Sequence, residues 1–302
     1  VYKRQVSNET SELKTVVLGI ANSFGAIPES NECIDPKTKY FLENDQYPLE
    51  DNCILEIEKF CNILINNGVS VIRPKPIKNL NQIFTRDIAF VIGNTIFEAN
   101  TINARAKEKS GIENILKNRN EVNKIKIPKG IKVEGGDVIV NDNFIFVGYC
   151  NKRDEDLKVS RTNMKAVSFL KEVFPNKDVI GFELIKNDYD PFKNILHLDC
   201  TMQPIGNNDI IIYEEGFKRK SDYSKLKEIF NKNFIKVSTN DMFNGFPNIF
   251  SINSNKIVSD TTFKKLNKTL KEIGYSVEET MYREISKFGG LFRCSTLPLE
   301  RK

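Results

Sequence analysis

The sequence predicts one α/β domain made of five pseudo-symmetric modules. Strands joined by tight turns alternate with amphipathic helices, and this order of hairpin, helix and strand repeats about five times along the 302 residues. No stretch rich in Pro, Gly or Ser divides the chain, so one domain is favoured over two ordinary α/β domains. We expect this domain to span residues 12–302, after a poorly defined N-terminal segment at residues 1–11.

Apolar periodicity and turn residues predict the first two modules. Module one has a strand at 16–20, a helix at 49–67 and a returning strand at 69–72. Module two has a hairpin at 88–97, whose turn is a Gly-Asn pair, followed by a helix at 105–116.

The remaining three modules repeat this order. Each predicted hairpin turn contains two Asn residues together with Asp, Gly or Ser, and each helix carries apolar residues at helical spacing. Module three has a hairpin at 137–147, a helix at 162–174 and a closing strand at 178–182. Module four has a hairpin at 195–213, a helix at 221–230 and a closing strand at 234–237. Module five has a hairpin at 248–258, a helix at 263–273 and a closing strand at 275–277.

The composition argues against several functional classes. The 45 basic and 40 acidic residues are spread along the chain, without the basic stripe that is typical of nucleic-acid binders. No apolar run is long enough to span a membrane. The six cysteines form no C-x-x-C pair, so we expect free thiols, no metal centre and a reducing, cytoplasmic compartment. The sequence E-G-G-D at 134–137 lacks the G-x-G-x-x-G spacing of a nucleotide site.

His197 is the only histidine, and histidine is the side chain that titrates near neutral pH. It stands two residues before Asp199 in an alternating apolar run. On a strand this spacing points both side chains the same way. A buried polar pair that satisfies itself is one interpretation, and a catalytic site is the other.

Polar residues interrupt the pattern at four places, three of them at the start of a module. These are F-T-R-D at 84–87, E-G-G-D at 134–137, H-L-D at 197–199, and G-G-L-F-R-C-S-T-L-P-L at 289–299. Each alone is explained by a turn cap, a solvated strand end or a buried thiol. Together, equivalent positions in successive modules converge on one axis, where acids, one histidine and one cysteine indicate a thiol enzyme for a cationic substrate.

The motifs F-T-R-D, E-G-G-D, H-L-D and R-C-S-T-x-P-L, in this order, resemble those of the guanidine-modifying enzymes called penteins. This superfamily includes arginine deiminases, dimethylarginine hydrolases and arginine amidinotransferases. The resemblance covers nearly the whole chain. It implies a five-bladed α/β propeller with its site at the centre.

The resemblance also implies a role for seven residues, and it implies no metal or other cofactor. The seven residues are Cys294 as nucleophile, His197 as acid and base, Glu134 as the partner of His197, Asp87 and Asp199 as guanidinium-binding carboxylates, and Arg105 and Arg161 as binders of a substrate carboxylate.

Three functions are compatible with these residues. Glu134 resembles the hydrolases, whereas transferases have Asp there, and Asp199 argues against dimethylarginine hydrolases, which resemble H-x-K. We therefore expect an arginine deiminase-like hydrolase that forms citrulline and ammonia, with an amidinotransferase as the alternative. Deiminases carry an arginine a few residues before the cysteine, which residues 288–292 lack. A non-catalytic binding module is the third interpretation. The expected partner is a small guanidino compound, and a homodimer is one assembly that we consider.

Overall fold

The computed structural model describes residues 5–119 and 123–302, and its strands form five three-stranded sheets. In every sheet the central strand pairs antiparallel with one neighbour and parallel with the other. The sheets are β15-β1-β2 (Thr296–Arg301, Leu13–Leu18, Ser70–Ile72), β3-β4-β5 (Ala89–Ile92, Thr95–Glu98, Asn123–Lys126), β6-β7-β8 (Val138–Asn141, Phe144–Tyr149, Asp178–Glu183), β9-β10-β11 (Met202–Ile205, Asp209–Ile212, Phe234–Lys236) and β12-β13-β14 (Phe250–Ser251, Lys256–Asp260, Ser276–Thr280).

Each sheet is one blade of a five-bladed α/β propeller, which confirms the predicted fold class. A helical connection joins the two parallel strands of every blade, as parallel pairing requires. The α-helices are α1 (Pro36–Glu43), α2 (Glu50–Asn66), α3 (Thr85–Ile88), α4 (Glu113–Lys117), α5 (Lys165–Val173), α6 (Lys220–Ile229), α7 (Thr239–Asn244), α8 (Lys264–Glu272) and α9 (Arg283–Ser286). None of the described helices combines the length and the apolar character needed to cross a membrane.

The last strand completes the first blade. β15 pairs antiparallel with β1, from Leu13 opposite Arg301 to Leu18 opposite Thr296. The local sequence pattern predicts no hairpin partner for module one, because the partner strand lies at the other end of the chain. This pairing holds the turn that contains Cys294 against the first blade.

Helix α2 packs behind that turn. Its side chain Phe60 is fully buried and meets the rings of Phe292, Tyr282 and Phe250 at centroid distances of 5.0, 5.7 and 6.0 Å. Aromatic pairs in such edge-to-face arrangements add stability beyond the area that they bury. The apolar core therefore anchors the segment before Cys294.

Two predicted elements differ in the structure. The predicted helix at 105–116 is a 3₁₀ segment, Asn103–Gly111, followed by the short helix α4. The predicted strand beginning at 195 is also wrong at its start, because Leu198–Cys200 forms a 3₁₀ turn and β9 begins only at Met202. His197 and Asp199 therefore do not share one face of a strand.

The N-terminal segment, from residue 5 onward, packs on three blades. Val6 exchanges two backbone hydrogen bonds with Gly93, at 2.8 and 2.7 Å, and Asp142 donates to the Ser7 carbonyl at 2.8 Å. Arg301 donates to the Gln5 carbonyl. Glu9 in this segment is only 2% exposed. Residues 1–4 of the predicted segment lie outside the described residues.

Candidate active site

A short helical turn or bend precedes the first strand of every blade. The turns Thr85–Ile88, Gly135–Asp137, Leu198–Cys200 and Phe246–Asn248 precede β3, β6, β9 and β12, and residues 292–295 precede β15. Neighbouring turns contact one another. Side chains from five distant parts of the chain meet there for that reason.

His197 and Glu134 form a buried pair at this point. Nε2 of His197 lies 2.9 Å from Oε2 of Glu134, and neither residue is exposed to solvent. On the other side of the ring, Nδ1 lies 3.6 Å from Oδ1 of Asp87. Among the described residues, neither Nδ1 of His197 nor Oδ1 of Asp87 has a hydrogen-bond partner.

The surrounding charges favour an ionised pair. Burial lowers the pKa of His197, but Asp87, Cys294 and Glu134 outweigh it and hold that pKa well above its usual value. Burial raises the pKa of Glu134, yet Arg161, Arg105 and His197 bring it well below its usual range. At neutral pH the arrangement is an imidazolium beside a carboxylate.

Cys294 is buried at the centre of its turn and is held by Asn248. The amide Nδ2 of Asn248 donates to Sγ at 3.2 Å, and Oδ1 of Asn248 accepts from the backbone N–H of Cys294 at 3.1 Å and of Leu291 at 3.0 Å. A Cβ on Gly290 would lie 2.8 Å from Cβ of Cys294 and 2.7 Å from the ring of Phe84. Only glycine fits there.

The free thiol is protonated in this environment. A hydrogen bond with Cys200, burial and the nearby carboxylate of Asp199 raise the pKa of Cys294 well above its usual value, while His197 opposes them. Thiolate is the reactive form of cysteine. A positive charge placed near Sγ would favour the thiolate.

Asp87 and Asp199 already contact arginines of the protein. Oδ2 of Asp87 accepts from Nη1 of Arg105 at 2.6 Å. Oδ2 of Asp199 accepts from Nη1 of Arg293 at 2.8 Å and lies 3.5 Å from Sγ of Cys294. Asp87 lines the cavity described below, whereas Asp199 lies behind Cys294 and outside the cavity wall.

A cavity of about 250 Å³ opens onto these groups. His197, Cys294 and Asp87 form its inner end, and its wall contains Phe84, Tyr47 and Phe288. It also contains carboxylates and guanidinium groups, namely Glu32, Asp35, Glu108, Arg105 and Arg161. The volume suits a small molecule that carries both an apolar stem and charged ends.

The two predicted carboxylate-binding arginines differ in their free hydrogen-bond donors. Arg105 donates through Nε and Nη2 to Glu108 at 2.8 and 2.7 Å, through Nη2 also to the Phe84 carbonyl, and through Nη1 to Asp87 and Glu134. Its three nitrogens are all occupied.

Arg161 keeps a free donor. It donates to Glu134 at 3.4 Å and to the Ile34 carbonyl at 2.9 Å, while its Nε has no partner among the described residues. Arg161, unlike Arg105, therefore has a buried guanidinium nitrogen without a hydrogen-bond partner among the described residues.

Within the described residues, Asp87, Glu134 and His197 are a set that could hold a metal ion. One donor atom from each lies within 4.8 Å of the others. Arg105 already donates to both carboxylates of this set, at 2.6 and 3.3 Å. Guanidinium groups therefore supply the positive charge that a cation would otherwise bring.

The structure brings most of the predicted site residues together. Cys294, His197, Asp87, Arg105 and Arg161 line one cavity, and Glu134 and Asp199 lie directly behind it.

Sequence reasoning missed two residues that hold this site. Asn248 opens module five at the position equivalent to the other four motifs, which is a signal that the repeat could have given. Glu9, which contacts Arg293 at 2.9 Å, lies before the first predicted strand and carried no such signal.

Comparison with known proteins identifies the family. A family model described as N,N dimethylarginine dimethylhydrolase, eukaryotic, matches residues 27–301. YkgA of Bacillus subtilis is 29% identical over 222 residues, which cover 73% of this chain and 70% of YkgA. An arginine deiminase of Listeria monocytogenes is 27% identical over 265 residues, covering 74% of this chain but only 62% of the deiminase.

Solved structures share the fold over nearly the full chain. SxtG, an amidinotransferase from Microseira wollei, gives a TM-score of 0.77 at 19% identity and covers 100% of this chain and 98% of its own. The inosamine-phosphate amidinotransferase StrB1 from Streptomyces griseus gives 0.78 at 16% identity, covering 99% and 97%. The N-terminal domain of ArgZ, a cyanobacterial arginine dihydrolase, gives 0.77 at 19% identity, covering 96% and 98%.

At these identities the structural neighbours establish the fold, and the family model establishes the relationship by sequence. The chain belongs to the N,N-dimethylarginine dimethylhydrolase family and, through it and its five-bladed fold, to the pentein superfamily of enzymes that modify guanidino groups.

Proposed function

We propose that this protein is a cysteine-dependent hydrolase of the guanidinium group of arginine or a related guanidino compound, similar to an arginine deiminase. The observation that carries the proposal is the 2.9 Å contact between His197 and Glu134, with His197 and Cys294 lining one cavity and Glu134 directly behind it. A histidine oriented by a carboxylate next to a nucleophile is the arrangement that covalent catalysis uses.

Binding of a cation fits the protonation states of the residues in this site. The thiol has a raised pKa and His197 is an imidazolium, so the free enzyme is in an unreactive form. A guanidinium ion placed beside Sγ favours the thiolate by its charge. Oδ1 of Asp87, which has no partner among the described residues, is free to accept an N–H of that ion.

The reaction then proceeds in two steps. Sγ of Cys294 bonds to the guanidinium carbon, and the bond from that carbon to the leaving nitrogen breaks as His197 donates its proton. Water next attacks the same carbon and gives a proton to His197, and the C–S bond breaks to release the thiolate. The products are a ureido compound and ammonia. Proton transfer of this kind contributes roughly 10²–10⁴-fold to a rate.

The remaining predicted residues bind and orient the substrate. We assign Arg161 to a substrate carboxylate, since its Nε is free, and Arg105 to the orientation of Asp87 and Glu134, since its nitrogens are all occupied. We assign Asp199 as the second guanidinium-binding carboxylate. Its Oδ2 accepts from Arg293 and its Oδ1 accepts from Sγ of Cys200 at 3.7 Å, and the contact with Cys200 is the one that a guanidinium N–H would replace.

Amidino transfer is the alternative for the second step. An amine in place of water would attack the same intermediate, and two of the structural neighbours are named amidinotransferases. The name of the matching family model points to a third substrate, dimethylarginine, but Asp199 occupies the place where the H-x-K pattern has lysine.

A product assay distinguishes these reactions. The protein is incubated with arginine, dimethylarginine and guanidino compounds without a carboxylate, in the presence and absence of glycine, and products are measured by mass. Release of ammonia and citrulline from arginine supports the proposal. A new guanidino compound formed with glycine, without ammonia, would support the transferase instead, and release of dimethylamine would support the dimethylarginine reaction.

A further inference from the structure

We propose that Glu9 is a positioning residue that acts through Arg293 to set the charge that Asp199 presents to Cys294 and to a cationic substrate. The inference rests on the proposed function and deepens it. It concerns a residue of the N-terminal segment that does not line the cavity.

Glu9 and Arg293 form a buried, two-pronged ion pair. Oε1 of Glu9 accepts from Nη2 of Arg293 at 2.9 Å, and Oε2 accepts from Nε at 3.2 Å. Glu9 is 2% exposed and Arg293 is fully buried. Paired geometry of this kind fixes the plane of the guanidinium group.

Arg293 connects this pair to the thiol. Its remaining terminal nitrogen, Nη1, donates to Oδ2 of Asp199 at 2.8 Å, and that oxygen lies 3.5 Å from Sγ of Cys294. Glu9, Arg293 and Asp199 therefore form a chain of charged contacts that reaches Sγ of Cys294. A change in the first charge is felt at the last, because the path is shielded from water.

The local balance of charge depends on Glu9. Arg86, Arg293 and Arg301 are all buried around it, with Arg86 Nη1 3.7 Å from Oε1, and Asp199 is the other carboxylate that contacts Arg293. Burial raises the pKa of Glu9, but Arg293 and Arg86 outweigh it and bring that pKa to about 2. Glu9 is therefore ionised at neutral pH.

Neutralising Glu9 would leave Asp199 as the carboxylate that offsets the charges of Arg293 and Arg86. The attraction of Asp199 for a substrate cation would weaken, and the thiolate of Cys294 would be stabilised. These two effects have opposite signs for the enzyme, since substrate affinity falls while the free thiol becomes more reactive. A residue that only holds the fold together would not produce this combination.

The test compares four proteins: wild type, E9D, E9Q and E9Q/R86Q. Substitution of Glu9 by Gln removes the charge, Asp keeps it, and the double variant restores the net charge of the cluster without restoring the contacts. Two quantities are measured in each. One is kcat and KM for arginine, and the other is the pH midpoint for alkylation of Cys294 by iodoacetamide, quantified on the Cys294 peptide.

The alkylation midpoint also reports on other groups near Cys294, namely His197, Asp199, Asp87, Cys200 and Lys37. None of these is altered in the four proteins, so differences between the variants arise from Glu9 and Arg86. Alkylation requires no turnover. If wild type is inactive on every guanidino compound, the proposed function fails while the alkylation midpoints still decide the role of Glu9.

We expect E9Q to raise KM about tenfold and to lower the alkylation midpoint by about one pH unit, with smaller changes in kcat, as for one uncompensated charge near the site. We expect E9D and E9Q/R86Q to stay close to wild type in both quantities. A midpoint that is unchanged in E9Q, or a double variant displaced further than E9Q, would overturn the inference. Failure of both E9Q and E9Q/R86Q to fold would also overturn it, because the role would then be structural.

Discussion

Nε2 of His197 lies 2.9 Å from Oε2 of Glu134, and both side chains are removed from solvent. Burial of a charged pair costs desolvation free energy, which reduces the stability of the fold, so a functional role is the better explanation for this pair. The neighbouring Cys294 and the cavity supply that reason. The pair keeps a proton available at the point where a leaving amine would need it.

The pKa of His197 can be measured directly, because this is the only histidine in the chain. The pKa is raised, so we expect the single imidazole to remain protonated at pH values well above 6.5. The E134Q variant removes the carboxylate that contacts Nε2, and the pKa should fall. Nitrogen-15 chemical shifts of labelled histidine across a pH titration measure both values. An imidazole that is neutral at pH 7 in wild type would contradict the assignment.

The H197Q variant tests the acid and base role. Since proton transfer is lost while the volume is nearly kept, we expect kcat to fall roughly 10²–10⁴-fold with little change in KM. Circular dichroism and thermal melting serve as controls for the fold. A rate near that of wild type would assign His197 to structure alone.

Asn248 is expected to support the nucleophile. In N248A, Sγ of Cys294 loses the donor at 3.2 Å, and two backbone N–H groups lose their acceptor. Leaving these groups unpaired should lower the free energy of unfolding by about 1–3 kcal/mol. Because the thiolate loses a hydrogen bond, alkylation of Cys294 at a fixed pH should also become slower. Denaturant unfolding and alkylation rates measure the two effects, and faster alkylation would argue against this role.

Arg161 is expected to select substrates that carry a carboxylate. The R161A variant removes a guanidinium group that lines the cavity and has an unpaired Nε, and we expect KM for arginine to rise about tenfold or more, as for loss of a charge-assisted hydrogen bond. Guanidino compounds without a carboxylate serve as the matched control. Their KM should change less, since the variant removes nothing that they contact. An equal loss for both substrate classes would instead assign Arg161 to the support of Glu134.

Local sequence patterns predict much of the fold. Hairpin turns, helical spacing and the module order were readable because each depends on residues close together in the chain. The pairing of β15 with β1 could not be predicted from local patterns, since it joins Thr296–Arg301 to Leu13–Leu18 and depends on closure of the propeller. The 3₁₀ turn at Leu198–Cys200 was missed because its alternating apolar pattern is also typical of a strand.

In the candidate site, too, local patterns predict some features, and others depend on contacts between distant segments. Motifs at the start of three modules, with a fourth near the end of the chain, located Glu134, His197 and Cys294 without any coordinates, and the resemblance to the penteins suggested their roles. The contacts of Arg105 and the line from Glu9 to Cys294 depend on side-chain geometry between distant segments, which no local pattern encodes. Asn248 lies between these cases, because the repeat points to its position but not to its role.

The central claim is that Cys294 forms a covalent bond with the guanidinium carbon, and trapping that intermediate tests it most directly. The protein is mixed with arginine, quenched in acid within the first turnover, and digested for peptide mass analysis, with C294A as the control. We expect the peptide that contains Cys294 to gain the mass of arginine less one ammonia in wild type, whereas a gain of one amidino group alone would indicate the transferase. We expect C294A to form neither adduct nor product. Product formation by C294A, or an adduct on a cysteine other than Cys294, would contradict the account.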